Sequence, residues 1–572
     1  MKRFLLVLAL LGYIALMSAS LSPVGTSVRA FESLMGTVPT NTHALIRQAP
    51  GHNFFFTSQT WFVRADGGTR YSASVTSGQC DGLADVAYPG TGTNQHCAFN
   101  DFRYLYDDGS YGNYAWVIAG GDTIVVRGCH AITGTGGQQN PSNPNCRIGF
   151  DTDSAPGAGG WCAGSLPNTQ CGIPDMPSGT SGNHTKLLGG CAYGTYTCTP
   201  VVGYPYTSNN LAQLFGGFGV GYVLSLANAH YVDVEGIEIT THNGACTYYG
   251  TPQWPKACSN SSPADDFSNN GIVTTPTTNN ITLQDVYVHG FSASGIYGPT
   301  GASTVMIRTS LDFNTFAGWN MDSGGESNGP GATLTQSYLT MVGNGCNEEY
   351  PIVHTQFPAK SCYDTNTAGF GDAWSGQTCN TADPNCSFVS FTCDHCLILY
   401  NVKDGAMGPH VPITTLSLTN SLWVGTHGAM GKWGINGSGN FTFENNIAIA
   451  NCDRWSSTIP GAAQNFSATS GLNGSYVTAC RGNDMFAYNS DLDSNSLFAN
   501  NTFIFSRNAD GTQEVGFDLG CFTTSGCNTK PKFINNVFLG YPSIDGTKPA
   551  LFYKSDGTVA QVVANNVEYN MR

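Results

Sequence analysis

A parallel β-helix is the fold this sequence predicts, and three observations lead to it. The first is a short cassette that returns along residues 281–569. Its clearest copies are Ile281–His289, Leu416–Val424, Phe441–Ile449, Ser496–Ile504, Pro531–Leu539 and Gln561–Tyr569, and weaker copies start at Val232, Val305, Ala332 and Ser390. The clear copies are apolar at the third place, carry Asn or Asp at the fifth, and are mostly apolar from the seventh to the ninth. The second is spacing: the starts at 281, 305 and 332, and those at 390, 416 and 441, lie roughly two dozen residues apart, the period of a stacked solenoid. Longer gaps, such as 441 to 496, read as two turns or as one turn with an insertion. The third is the Asn, which tolerates the left-handed backbone of a sharp bend and can bond to the backbone or to the Asn one coil above. Stacked parallel strands then bury their alternate side chains in one continuous core.

Taken in order, Met1-Lys2-Arg3, the apolar run Phe4–Met17 and the small residues after it read as a secretory signal peptide over residues 1–30, cleaved near Ala19 or after Ala30. A secreted or cell-surface location follows. The run is shorter than a membrane span, and no later stretch is long and apolar enough to be one. Residues 31–128 form a lead and capping segment. Within it 32–59 show no period, and Trp61–Thr69 reads as a strand ending in a Gly turn. Cys97–Leu105 reads as a short amphipathic helix with Phe99, Phe102 and Leu105 on one face, and Ala115–Gly128 as a turn and a strand. Residues 129–221 are rich in Gly, Pro, Asn and Cys and read as loop-rich first coils around the apolar Thr185–Gly189. The solenoid proper is expected over 222–572, with insertions at Gly244–Asn269 and Gly343–Pro384.

Composition agrees. Only 11% of residues are charged and Gly numbers 71, which suits many tight turns and suits long helices poorly. A net charge of −15 argues against a nucleic-acid or anionic-membrane partner. The 20 cysteines are even in number, which in an exported chain points to disulfides. Sequence neighbours suggest Cys80 with Cys97, Cys162 with Cys171, Cys191 with Cys198, and Cys246 with Cys258. They likewise suggest Cys346 with Cys362, Cys452 with Cys480, and Cys521 with Cys527. Cys393-x-x-Cys396 lacks the second pair of a zinc site and the His of a haem site, so disulfides from it to Cys379 or Cys386 are expected.

The Trp61–Thr69 strand, the Cys97–Leu105 helix and the strand Gly121-Asp122-Thr123-Ile124-Val125 resemble the opening of secreted bacterial proteins in the pectate-lyase-like right-handed β-helix superfamily. The resemblance covers the mature chain at the level of fold. It implies an all-β, right-handed solenoid with a capping helix over its first strand edges and long disulfide-stapled loops. It implies no single activity, because that superfamily holds lyases, hydrolases, epimerases and non-enzymatic surface proteins. The sequence has no Asn-Thr-Asp with a following Gly-His-Gly, no Asp-Pro-His and no Arg-x-Pro-x-x-Arg; Asp265-Asp266 and Thr426-His427-Gly428 echo parts of the first set.

Chemistry is expected where loops rise beside one face. Counted from the cassette starts, Lys403 and Arg454 share one place, Tyr297 and Lys432 another, and Asp322 and Trp433 a third. Coils in register would stack these groups in a surface column near Asp372, Trp374, Asp404, His410 and Trp455. Trp and Tyr faces suit sugar rings, carboxylates suit hydroxyls, and Lys or Arg can hold a uronate. A hydrolase would draw its acid and its base or nucleophile from Asp372, Asp404 and Asp322. In a lyase Lys403, Arg454 or His410 would take the proton α to the uronate; no cofactor is required, though a divalent cation such as calcium suits that route. The bland readings are that Lys403-Asp404-Gly405 is an ordinary turn and that Asp394 stands where other coils hold structural Asn. The expected function is a secreted polysaccharide lyase or glycoside hydrolase. The alternative is a non-catalytic surface protein that binds glycans or self-associates.

Overall fold

Each clear cassette becomes a strand, a two-residue corner and a second strand. In the Phe441 copy, Asn440–Glu444 turns at Asn445-Asn446 into Ile447–Ala450. The layout repeats at Asn279–Gln284 with Tyr287–His289 and at Ile413–Thr419 with Leu422–Val424. A third strand completes the coil, as Ser294–Tyr297 does after Tyr287–His289. The computed structural model describes residues 58–70, 78–106, 116–127, 147–149, 172–189, 211–216, 221–240, 268–291, 293–321, 331–345, 372–375, 388–399, 401, 406–407, 413–424, 431–433, 440–450, 484–488, 496–505, 515–518, 532–540, 550–553 and 562–571. All lie in the unit Ser58–Arg572.

Among the described residues the coils build three parallel sheets of fourteen, twelve and ten strands, holding the first, second and third strand of each coil. Parallel returns of this kind wind right-handed, and the fold is a right-handed parallel β-helix. The long cassette gaps are single turns with insertions, since Ile281 pairs with Val232, Phe391 with Leu334 and Phe498 with Phe443. Register also corrects the weaker cassettes. Phe391, not Ser390, sits beside Leu416, and Asp394 stands level with Thr419. His395, not Asp394, therefore fills the bend position of Asn420 and Asn445, with φ 56°, 52° and 58°.

Two adjacent asparagines divide the corner's work. The fifth-place residue adopts the left-handed bend, at φ 57° in Asn500 and Asn535. The sixth-place residue turns inward and builds a ladder. The Asn501 amide donates to the Asn536 side-chain oxygen at 3.0 Å and to the Phe443 carbonyl at 2.8 Å, and Asn536 repeats this towards Asn566 and Phe498. A second buried ladder, Asn314–Asn344–Asn401, lines the far end of the twelve-stranded sheet's strands. Buried amides persist only when bonded, which these ladders ensure.

Between the ladders the interior is apolar and increasingly aromatic. Val234, Leu283 and Met306 give way to Phe443, Phe498 and Phe533 along one column, all buried. The Phe498 and Phe533 rings stack at 4.8 Å, the spacing of neighbouring strands. Each such side chain contributes roughly 1.5–3 kcal/mol by burial.

The first coil departs from expectation in two places. Thr60–Arg70 runs straight through Gly67-Gly68 instead of turning there. A Cβ on Gly67 would lie 2.3 Å from the Ala98 carbonyl oxygen, so that glycine permits close approach of backbones. The expected helix contracts to a single 3-10 turn, Phe102–Leu105, capped by Asp101, whose carboxylate accepts the Arg103 N–H at 2.9 Å. Phe99, Phe102 and Leu105 are nonetheless all buried. Asp122 staples the first strand in place, accepting from the Gln59 N–H at 2.7 Å and the Trp61 indole at 3.0 Å.

Cys80 and Cys97 are bonded as expected. Cys393 and Cys396 are bonded to each other, not to Cys379 or Cys386, because the two-residue corner brings their Cα atoms to 6.0 Å. The remaining expected pairs fall outside the described residues, and no described helix is long and apolar enough to cross a membrane.

Candidate functional site

Connections differ in length around the coil. From Asn279 onward the chain turns in two residues from the fourteen- to the twelve-stranded sheet, as from Gln284 to Tyr287 or Ile534 to Val537, whereas the first coils travel from Arg127 to Arg147 and from Gly189 to Ala212. From the twelve- to the ten-stranded sheet it travels from Thr240 to Asn270, from Val342 to Asp372 and from Ala450 to Asp484. From the ten- to the fourteen-stranded sheet it travels from Ser375 to Phe388 and from Asp518 to Lys532. Long connections thus line both borders of the ten-stranded sheet, and such segments on a rigid frame are where binding groups gather.

Register on that sheet places Val273, Tyr297, Asn320 and Ser375 in one column. The pair Trp374–Ala406 carries the column on to Met407, which pairs with Lys432. Tyr297 and Lys432 therefore share a column, as their cassette counts imply, and Trp433 beside it pairs with Tyr488. Tyr297 is half-buried. Trp374 is a core residue: only 1% exposed, its ring lies 5.6 Å from Phe391 and 6.2 Å from Trp423. A ring held there cannot serve as a sugar platform. Asp372 pairs with Ala317, which pairs with Ser294. Asp322, Lys403, Asp404, His410, Arg454 and Trp455 lie outside the described residues.

The structure also gathers acid–base groups that cassette counting missed. On the twelve-stranded sheet Ile237 and Ile239 belong to the core, and the alternating residues carry polar groups that are buried as well. His289 Nε2 lies 2.8 Å from Glu238 Oε1, and the Tyr287 ring stacks on the imidazole at 4.0 Å. Asp312, paired in register with His289, accepts the Ser310 hydroxyl at 2.6 Å and the Val342 N–H at 2.8 Å. Buried charge persists when paired in this way, and His289 at its strand end is satisfied by Glu238. Thr240, His289 and Asp312 share the ninth place once the copy at Val305 is started at Thr304.

On the fourteen-stranded sheet, Asp394 is held by the Thr419 hydroxyl and the Asn420 amide, each at 2.7 Å, and lies 2.9 Å from His395 Nδ1. Partial burial pushes its carboxyl up, but the bonds from Asn420, Thr419 and His395 outweigh that and hold it below the usual Asp range. Glu235 is shifted the other way. Burial raises it first and the Asp285 charge adds to this, against Lys186 and Arg308. Arg308 grips Asp285 with two bonds of 2.7 Å.

No family model and no curated protein matches this sequence. Among solved structures the chain is similar to an alginate lyase from Paenibacillus sp., with 11% identity over 79% of this chain and 90% of that one, at a TM-score of 0.27. It is similar to a pectate lyase at 10% identity over 90% and 78% of the two chains, TM-score 0.27. It is likewise similar to a family GH136 lacto-N-biosidase from Eubacterium ramulus at 10% identity over 89% and 68%, TM-score 0.27.

Proposed function

We propose that this chain acts on an extracellular polysaccharide across the outward side of its ten-stranded sheet, as a polysaccharide lyase or a glycoside hydrolase. The observation that carries this reading is the run of long connections along both borders of that sheet, beside a column shared by Tyr297 and Lys432. A glycan lying across the coils would meet a new strand about every 4.8 Å. Tyr297 offers a ring to sugar faces, while Lys432 and Arg454 offer charge to a uronate.

In the lyase form, Lys403, Arg454 or His410 removes the proton α to the uronate. Its electron pair forms the new C=C bond as the glycosidic C–O bond breaks, and the leaving oxygen is protonated. Asp322 and Asp404 are the carboxylates that would hold a divalent cation such as calcium, whose chemistry is to neutralise the uronate. Among the described residues no group of three or more His, Cys, Asp or Glu could hold a metal. In the hydrolase form the same two carboxylates supply acid and base or nucleophile. The burial of Trp374 leaves sugar stacking to the other rings, and Asp372 stands beside Asp322 and Asp404 as a candidate carboxylate.

Incubation with neutral and uronate polysaccharides, read by reducing ends and by ultraviolet absorbance of unsaturated uronate, tests the reading. Both signals together indicate a lyase, and reducing ends alone a hydrolase. Silence on every polymer would sink it.

A further inference from the structure

The outward side of the fourteen-stranded sheet carries a different pattern. The strands Thr333–Ser337, Phe388–Asp394, Ile413–Thr419 and Asn440–Glu444 stack in direct register. Their inward residues are buried, among them Leu334, Phe391, Leu416 and Phe441. The middle outward row reads Thr335, Thr392, Ser417 and Thr442, and the row beside it opens Thr333, Ser390 and Thr415. These side chains are exposed or half-buried. Among the described residues none of the four middle-row hydroxyls meets a hydrogen-bond partner. The only charges within the patch are Asp394 and Glu444 at its margin.

That margin is also where the bend departs from Asn. Tyr338 and His395 adopt the left-handed backbone, at φ 54° and 56°, in two consecutive coils. Their rings stack at 4.9 Å, and Tyr338 is 46% exposed. A large side chain in that conformation costs about 1–2 kcal/mol, and strain of this kind is retained where something other than folding favours the residue.

From the lattice and its rim we infer that this face is a docking surface for an insoluble, uncharged polysaccharide, anchoring the protein on a flat array of glycan chains. Hydroxyls about 4.7–4.9 Å apart along each row, with the two rows about 6.6 Å apart, match a partner that repeats in two dimensions. One flexible chain would be better served by a groove. The patch has no cation to attract a polyanion, and its two carboxylates would repel one. The Tyr338–His395 stack adds an amphipathic edge of the kind that sugar rings pack against. The inference shares a ligand class with the proposed function but does not rest on it, because anchoring requires no turnover.

The test is co-sedimentation of the full chain with powdered cellulose, chitin and β-1,3-glucan, with inhibition of ice recrystallisation measured alongside. The variant Thr335→Val/Thr392→Val/Ser417→Ala removes three hydroxyls and keeps side-chain shape. Retention on at least one powder, falling tenfold or more in this variant with unchanged circular dichroism, is the expected result. Should the triple variant misfold, Thr392→Lys alone reads the same loss. No retention of the wild type, equal retention of a folded variant, or action on ice without retention on any powder each overturns the inference. If retention is lost as expected while no polymer is ever cleaved, the anchoring face stands and the proposed function falls.

Discussion

From Asn279 onward the chain turns in two residues between the fourteen- and twelve-stranded sheets, coil after coil, whereas the ten-stranded sheet is bordered by long connections on both sides. The tight corner dictates sequence strongly: one residue must take a left-handed bend and the next must bond inward, so Asn recurs at both. A long connection imposes no such rule, and the third strand of each coil has no recurring residue to mark it. The face beside the tight corner is regular, hydroxyl-rich and built for repetition. The face beside the long connections is irregular, and each coil can differ there from the next. Within one solenoid, short connections fix a lattice and long ones free a site.

The sharpest way to break this comparison is to separate chemistry from the lattice. Lys403→Ala is expected to lower kcat/KM on soluble polysaccharide by about 100- to 10,000-fold, the usual range for losing a general base. Thr335→Val should leave the same rate unchanged. Equal losses in both variants would remove the division between the faces.

Trp374 sharpens it next. As a core side chain, Trp374→Ala should cost about 3–5 kcal/mol in urea unfolding. Trp374→Phe should cost far less, because the indole N–H is buried without a partner and its removal leaves nothing unpaired. A glycan affinity that falls in the Ala variant with stability intact would return Trp374 to the surface column.

The corner itself predicts an inside–outside difference. Asn501 donates to Phe443 and Asn536 and accepts the Asn446 N–H at 2.8 Å. Asn501→Ala should lose about 1–3 kcal/mol by orphaning buried groups. Asn500→Ala keeps the inner ladder and forfeits about 1–2 kcal/mol of left-handed tolerance. Thermal melts of the two variants, with Asn500→Gly as the control for the bend, separate these contributions.

Much of this architecture was legible because the corner repeats. The cassettes beginning at Ile281, Leu416 and Phe441 announce their strands through Asp285, Asn420 and Asn445, the residues that the bend requires. Where Arg308, Tyr338 and His395 replace Asn, the signal fades and the counted register slips by one or two residues. Trp374 misled for a related reason. It follows the long connection from Val342, and an apolar–polar strand of four residues does not say which side faces in. Fifth-place amides do meet across coils, as Asn535 donates to Asn500 at 3.3 Å, but the buried ladder belongs to the sixth place, and adjacent amides look alike until the bend assigns one outward and one inward. Tyr297 and Lys432 could be aligned because each follows a clear cassette at the same distance.

Acid titration distinguishes two perturbed carboxylates of the fourteen-stranded sheet, Asp394 and Glu235. Asp394 is held below the usual Asp value, so its contribution is present above that value and is lost as pH falls through its folded pKa. Glu235 is held above the usual Glu value, so the folded state binds its proton more readily and stability declines as pH rises through that range. Urea midpoints followed from neutral pH into acid should therefore flatten in Asp394→Asn at the acid end. In Glu235→Gln the midpoint should rise relative to wild type at neutral pH. Changes in the opposite directions would contradict the bonding around Asp394 and the burial of Glu235.

The smallest expected effect asks the most of the lattice face. Tyr338 occupies a left-handed bend that Asn fills without strain four coils in succession, from Asn420 through Asn535. Tyr338→Asn should therefore gain about 1–2 kcal/mol through relief of that bend. Part of the gain is offset by loss of the ring contact with His395 at 4.9 Å, worth roughly 0.5–1.5 kcal/mol. If the tyrosine is kept for docking, the same variant should bind insoluble glycan more weakly while melting no lower than wild type. A variant that melts lower and binds equally would show that the ring serves the fold, and the rim would then drop out of the docking surface while the hydroxyl rows remained. Opposite movements of stability and retention in one substitution are what a strained functional residue produces.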